Sequence, residues 1–294
     1  MAERPDLLCV GNLTIDEAVA PSGERVESVG GDALFAALAA TLAGGAPRIL
    51  APLGNDATPA LLAAIKRAGT NPASLPRRDL PTIRNVIRYD GAGGREWDLV
   101  LGEEHFEDLS VHPADVPDEV LAADGVLLSA MALNPQLRLA AWLRAHTAAT
   151  IFFDPQEDYV AGNESALLDA VRACDVFLPS EVEATALTGT GDPVRAARTL
   201  LELGPHTVVV KLAEAGALVA TRQRPAPTPT PADVVDAVDS TGAGDAFCGA
   251  FAVEYLRSRD PYAAARIGAA AARIAVSANG IDGLVAAVTA ELAR

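Results

Sequence analysis

The sequence predicts an α/β protein, with a mainly parallel sheet covered by helices on both faces and a small β insertion attached to it. Short β-branched and leucine-rich runs alternate with alanine-rich helical stretches, as parallel strands and crossover helices require. The chain has 294 residues, 50% hydrophobic and 21% charged, which suits a large buried core and excludes disordered and low-complexity classes. Segments 14–29 and 82–101 break the rhythm with period-2 alternation and no helix signal.

In chain order, residues 7–10 read as a strand and 32–43 as a helix stopped by Gly44 and Gly45. Residues 48–51 are strand-like and 59–68 helical. Buried strands are expected at 125–129, 150–154, 176–178 and 207–212, with helices at 135–145, 165–173, 181–187 and 193–203. In the insertion Ile83, Asn85, Ile87 and Tyr89 share one strand face. Asp90, Gly91, Ala92, Gly93 and Gly94 make a turn, and residues 97–101 return, as in an antiparallel hairpin. Such a flap covers a ligand or is an ordinary surface hairpin. Residues 225–231 are too proline-rich for a helix and read as a stiff loop inside the domain. No internal repeat is found, and the chain reads as one domain over 1–294.

Composition bounds the partners. Lysine plus arginine number 23 against 39 aspartates and glutamates, a net charge of −16, so nucleic acid and anionic membranes are repelled. A bound anion then needs a locally built positive field. Cys9, Cys174 and Cys248 form no CxxC or zinc spacing and read as buried thiols in a reducing cytoplasm. The charged start does not read as a secretory leader, and runs such as 33–46 are shorter than the roughly 18 residues of a membrane span. The histidines, at 105, 112, 146 and 206, are isolated and read as structural or exposed.

The most informative stretch runs from Val238 to Phe247, between a strand-like run at 233–238 and a helix extending to about residue 257. Small residues at a helix start leave amides free to face an anion, and the helix dipole adds partial positive charge. Gly242 and Gly244 let a phosphate approach the main chain. Asp245 sits in the first helical turn, where it either complements the dipole or accepts a proton from an attacking hydroxyl. No Walker A loop occurs, and Phe247 occupies the third glycine position of a GxGxxG fingerprint.

Residues 239–247 closely resemble the C-terminal signature of the ribokinase-like (PfkB) carbohydrate kinases. The resemblance implies a three-layer α/β/α sandwich with a β-sheet lid, and ATP as phosphoryl donor with Mg²⁺. It makes Gly242, Ala243, Gly244 and Asp245 the anion hole, with Asp245 as catalytic base. Asp16, five residues after Gly11, matches the aspartate that binds sugar hydroxyls; taken alone it is equally a turn or cap residue. Gly30, Gly31 and Asp32 resemble the family's paired-glycine signature at the lid–body junction, and Asp32 also suits a helix N-cap. Phe35 stands where the family usually has asparagine. It is either core or the less polar wall of the substrate pocket.

Leu178 to Glu183 resembles the family's NxxE motif with Ser180 replacing asparagine, which implies that Glu183 organises Mg²⁺ through water. Lys211, Ala213 and Gly216 fall in the strand and turn that border the nucleotide, with Ala213 replacing the usual glycine; Lys211 would neutralise phosphate charge or is a solvated strand end. Asp239, Thr241, Ala275, Ala278 and Gly280 match positions around a monovalent cation, K⁺, and Asn279 lies near adenine or is a turn residue. The expectation is an ATP-dependent kinase of a sugar or sugar-like substrate. A nucleoside kinase and a non-catalytic sugar- or nucleotide-binding regulator are the alternatives. The lid aromatics Tyr89 and Trp97 are expected in lid packing or in a lid–lid homodimer.

Overall fold

Most strands are buried along nearly their whole length, which demands cover on both sheet faces. The computed structural model describes residues 4–89 and 95–293. The turn at Asp90–Gly94 lies outside the described residues. Strands β1 (Asp6–Val10), β2 (Thr14–Val19) and β3 (Arg25–Gly30) lead to α1 (Asp32–Leu42), β4 (Ala46–Leu50) and α2 (Pro59–Arg67). Then come β5 (Ile83–Tyr89), β6 (Arg95–Leu99), α3 (Gly102–Asp108), β7 (Gly125–Leu128), α4 (Leu133–His146) and β8 (Thr150–Phe153). The chain continues through α5 (Glu164–Ala173), β9 (Val176–Phe177), α6 (Glu181–Thr188), α7 (Pro193–Glu202), β10 (Thr207–Lys211) and β11 (Ala217–Thr221). It closes with β12 (Thr228–Thr230), α8 (Ala243–Ser258), α9 (Pro261–Ala275) and α10 (Asp282–Leu292).

The main sheet has eight strands in the order β12-β11-β10-β9-β8-β7-β1-β4. From β4 to β10 neighbouring strands are parallel, and β11 and β12 add an antiparallel edge. Alternate residues feed opposite layers. Leu7, Cys9, Leu127, Phe152 and Val209 pack with α1, α2, α8, α9 and α10. Leu8, Val10, Leu128, Phe153 and Val210 pack with α4, α5, α6 and α7. This is the expected three-layer sandwich.

The second sheet, β3-β2-β5-β6, is the lid. Its two halves join through a parallel β2–β5 pairing rather than as a purely antiparallel insertion. Ile83 and Phe106 of α3 form a small separate core beneath it.

Two readings are corrected. Residues 233–238 form no strand: Val234 and Val238 are 79% and 60% exposed, and the sheet edge is already occupied. The occupant is β12, inside the proline-rich stretch expected to be loop. Pro229 pairs opposite Leu218 on the outermost strand, where its missing N–H costs no ladder bond. All three cysteines are buried and free. No helix among the described residues is long and apolar enough to cross a membrane.

Candidate active site

Helices α1 and α8 cross closely, because Gly249 lets the backbone of Ala36 approach; a Cβ there would stand 2.0 Å from the Ala36 carbonyl oxygen. The crossing brings both helix N-termini to the carboxyl end of the parallel strands, where open α/β sheets bind ligands. The α8 N-cap is Gly242, in left-handed conformation at φ 72°, which places Asp245 in the first turn as expected. The α1 N-cap is Gly31, so Asp32 is the first helical residue and not the cap. Phe35, 2% exposed, lies against Gly242 and beside Gly30. It is a packed strut between the two glycine turns as well as a piece of cavity wall.

A cavity of about 460 Å³ opens above these termini, and Asp16, Gly31, Asp32, Phe35, Gly242, Gly244 and Asp245 all line it. Its floor is polar. Asp16 accepts from Asn85 Nδ2 at 2.7 Å and from Thr14 Oγ1 at 2.8 Å. Burial pushes the Asp16 carboxyl up to about 6, against those two hydrogen bonds; the neighbouring Asp239 charge adds to the rise. Asn12 donates to Asp32 Oδ2 at 3.1 Å and to the Ala130 carbonyl at 3.2 Å. Burial, then the charge of Asp245, hold the Asp32 carboxyl well above the usual carboxylate range. The Oδ1 atoms of Asn12 and Asn85 are buried acceptors without partners among the described residues. They are placed to accept hydrogen bonds from the hydroxyls of a polyol. The upper wall is apolar: Ile87 and Trp97 of the lid, and Phe106 of α3.

Lys211 Nζ lies 2.6 Å from Asp154 Oδ1, so this lysine is ion-paired and not a solvated strand end. Glu183, 5% exposed, closes a capping box with Ser180. Its Oε2 accepts the Ser180 amide at 2.6 Å, and Ser180 Oγ accepts the Glu183 amide at 3.2 Å. Serine therefore does here what starts a helix, while Glu183 still lines the cavity. Burial pushes its carboxyl up to about 7, opposed by the attraction of Lys211. No group of three or more metal-ligating side chains occurs among the described residues.

A second cavity of about 270 Å³ lies on the other side of the glycine turn. Ala213, Gly216, Val234, Val235, Phe247, Ala272 and Val276 give it an apolar lining suited to a flat heterocycle. Lys211, Ser240 and Gly244 line both cavities. The Asp239 loop sits nearby. Its carboxylate accepts the Thr241 and Gly280 amides, both at 2.9 Å, and the Tyr89 hydroxyl at 2.7 Å. Burial alone would raise Asp239, and these donors outweigh it and hold the carboxyl below its ordinary value. Tyr89 therefore ties the lid to the loop that leads into the glycine turn, and Trp97 lines the cavity. Asn279 is exposed, its carbonyl accepts the Asp282 amide, and it lines neither cavity; Ala275 and Ala278 line neither as well.

Asn12, Thr14, Asn85, Phe106 and Asp154 enter the site without having been assigned roles from sequence, and Trp97, expected in lid packing or a lid–lid contact, lines the cavity. Asn85 had a usable signal, a polar residue on the otherwise apolar inner face of a lid strand.

The pfkB family carbohydrate kinase signature matches residues 5–285. A cytidine kinase from Thermococcus kodakarensis is 30% identical over 275 residues, covering 91% of this chain and 95% of that protein. The crystal structure of a Thermotoga maritima ribokinase superposes with a TM-score of 0.74 at 25% identity, covering 99% of both chains. The adenosine kinase structure from Sinorhizobium meliloti shares the fold with a TM-score of 0.82 at 22% identity, covering 99% of this chain and 100% of that one. With paired cavities meeting at a glycine-rich helix start, and this likeness along nearly its whole length, the chain belongs to the PfkB family of carbohydrate kinases, which phosphorylate sugars or nucleosides with ATP.

Proposed function

We propose that this kinase phosphorylates a hydroxyl on the sugar of a nucleoside. The observation that carries the reading is the split character of the larger cavity. Unpartnered amide oxygens and Asp16 line its floor, and Ile87, Trp97 and Phe106 line its wall. A volume of about 460 Å³ falls in the range that holds a drug-sized molecule, more than a lone pentose fills. The ribose hydroxyls face Asn12, Asp16 and Asn85, and the base lies against Trp97. Phe35, clamped between Gly30 and Gly242, supports this wall rather than stacking on the base. The cytidine kinase relative supports the same substrate class.

ATP occupies the second cavity through its adenine, with its phosphates at the turn. The acceptor hydroxyl attacks the γ-phosphorus in line; the new O–P bond forms as the bond to the β–γ bridging oxygen breaks. Asp245 takes the hydroxyl proton, and the amides of residues 242–245 with Lys211 stabilise the charge on the transferring group. Glu183 would hold Mg²⁺ through water, and the ion would supply neutralisation of the phosphate charge. Because the Asp239 carboxylate already carries three donors, K⁺ beside that loop would use backbone carbonyls.

The test is ATP consumption with a panel of nucleosides, pentoses, hexoses and sugar acids, comparing wild type with Asp245→Asn. A nucleoside should give the highest kcat/KM, and the substitution should cut kcat by about 10²–10⁴-fold. A free sugar preferred over every nucleoside would refute the substrate assignment. Equal turnover in the variant would remove Asp245 as base, and ATP binding without transfer to any acceptor would favour a binding-only regulator.

A further inference from the structure

Asp154 takes no part in the transfer just described, yet it is among the most firmly mounted side chains near the site. It follows β8, its amide donating to the Leu128 carbonyl at 3.0 Å. Its carbonyl accepts Gln136 Nε2 at 2.9 Å, and the same nitrogen donates to the Ser129 carbonyl at 2.9 Å. Gln136 is completely buried, so it braces the ends of β7 and β8 together. Lys211 ends β10, two strands away, with its amide bonded to the Pro179 carbonyl at 2.8 Å. Its stem crosses the end of β9 and delivers Nζ to Asp154 Oδ1 at 2.6 Å.

Both side chains are withdrawn from water, at 14% and 7% exposure. The second carboxylate oxygen accepts the thiol of Cys248 at 3.2 Å, and Nζ stands 3.6 Å from the same sulfur. Cys248 is wholly buried on the turn of α8 that follows Asp245. Burial would lower the Lys211 pKa, but Asp154, Cys248 and Glu183 outweigh it and hold the ammonium charged.

Stability does not explain such a pair. Desolvating two charges often costs more than their attraction returns, and an apolar pair of similar volume commonly serves the fold as well. Placement does explain it. An ammonium has three N–H donors, and Asp154 and Cys248 engage two of them. The remaining side of Nζ lies beside Gly244, within 3.6 Å of where a Cβ there would sit, and Lys211 lines both cavities.

We propose that Asp154 is a positioning residue, which with Cys248 fixes the Lys211 ammonium at the junction of the two cavities, against the phosphate chain of ATP. This rests on the ATP phosphates lying at that junction. Lysine is a point charge on a flexible four-carbon stem, and an anchored charge needs no reorganisation when the phosphoryl group moves.

The experiment compares Asp154→Asn, Lys211→Met and the double variant, with Asp154→Glu as the charge-keeping control. Each single substitution should lower kcat by about 100-fold, the loss expected when a catalytic charge is misplaced by about 1 Å. KM for the acceptor should stay near the wild-type value. The double variant should lose no more turnover than the worse single, and its Tm should recover toward wild type, because neither partner is left buried and unpaired. Asp154→Glu should restore part of the turnover. Calorimetry with Mg²⁺ and a non-hydrolysable ATP analogue should show both singles weakening binding by a similar factor.

Full turnover in Asp154→Asn, or losses that multiply in the double variant, would overturn the proposal. If Asp154→Asn does not fold, Lys211→Met against the double variant still decides: equal turnover supports the assignment and a further loss refutes it. The calorimetric arm stands even if no nucleoside proves to be the acceptor, so failure of the substrate assignment and failure of this one are distinguishable.

Discussion

Gly242→Ala perturbs the glycine turn, the proposed anion hole, where it packs most tightly against Phe35. The new Cβ would stand 2.3 Å from Phe35 Cδ1 and 2.4 Å from Cε1 and Cγ, against about 3.4 Å for ordinary contact. The ring must therefore retreat by about 1.1 Å, and at 2% exposure it has little open space on its cavity side to retreat into. Overpacking of this kind costs about 1–3 kcal/mol. Holding alanine at φ 72° adds about 1–2 kcal/mol. Together the penalty is about 2–5 kcal/mol, a large share of the 5–15 kcal/mol that stabilises a typical domain. Denaturant unfolding reads the stability loss, and steady-state kinetics reads a fall in kcat of about 100-fold as the amides leave the phosphoryl oxygens. Adding Phe35→Leu to Gly242→Ala should return part of the stability, because it relieves the clash but not the backbone strain. A Gly242→Ala protein as stable and active as wild type would refute the reasoning, as would a double variant whose penalties simply add.

Other expectations follow from the same geometry. Asp16 must be ionised to accept two hydroxyls, so the acceptor KM at saturating ATP should rise as pH falls through about 6, by up to about tenfold per pH unit; Asp16→Asn should start high and stay flat. The stability sign runs the other way. A carboxyl raised from 3.8 to about 6 contributes stability that is full below pH 3.8 and lost as pH rises through 6; the Asp16→Asn protein should lack that component of the pH profile. Trp97→Ala should raise KM for nucleosides at least several-fold and leave that for free ribose unchanged, and equal effects on both would place the base elsewhere. Tyr89→Phe removes the lid's hydrogen bond to Asp239; about 1 kcal/mol is at stake, a several-fold rise in acceptor KM with little change in Tm.

The sandwich was legible because its signals are local. Runs such as Thr207–Lys211 and Ala33–Ala40 declare strand and helix by composition and period. The glycine turn and Asp245 were legible because a helix N-terminus writes its chemistry in consecutive residues. What stayed hidden depends on distant partners. The alternation at 233–238 looked like a strand, yet pairing there would need an edge that β12 had taken. Lys211 read as a phosphate-neutralising lysine or a solvated strand end, and its ion pair stayed hidden because Asp154, 57 positions earlier in the chain, carries no mark of its partner. Ser180 looked like a defect in a metal-binding motif, whereas Ser180 and Glu183 together are a capping box at the usual spacing.

Because Lys211, Ser240 and Gly244 belong to both cavities, the two cavities form what is physically one continuous trough. Two nucleosides joined end to end by a chain of phosphates should therefore lie along it as a single guest. Tethering turns the second docking into an intramolecular event at a local concentration reaching the millimolar range. Such a molecule should bind far more tightly than either half. The number of phosphates in the best binder would serve as a ruler for the path that the transferred group travels.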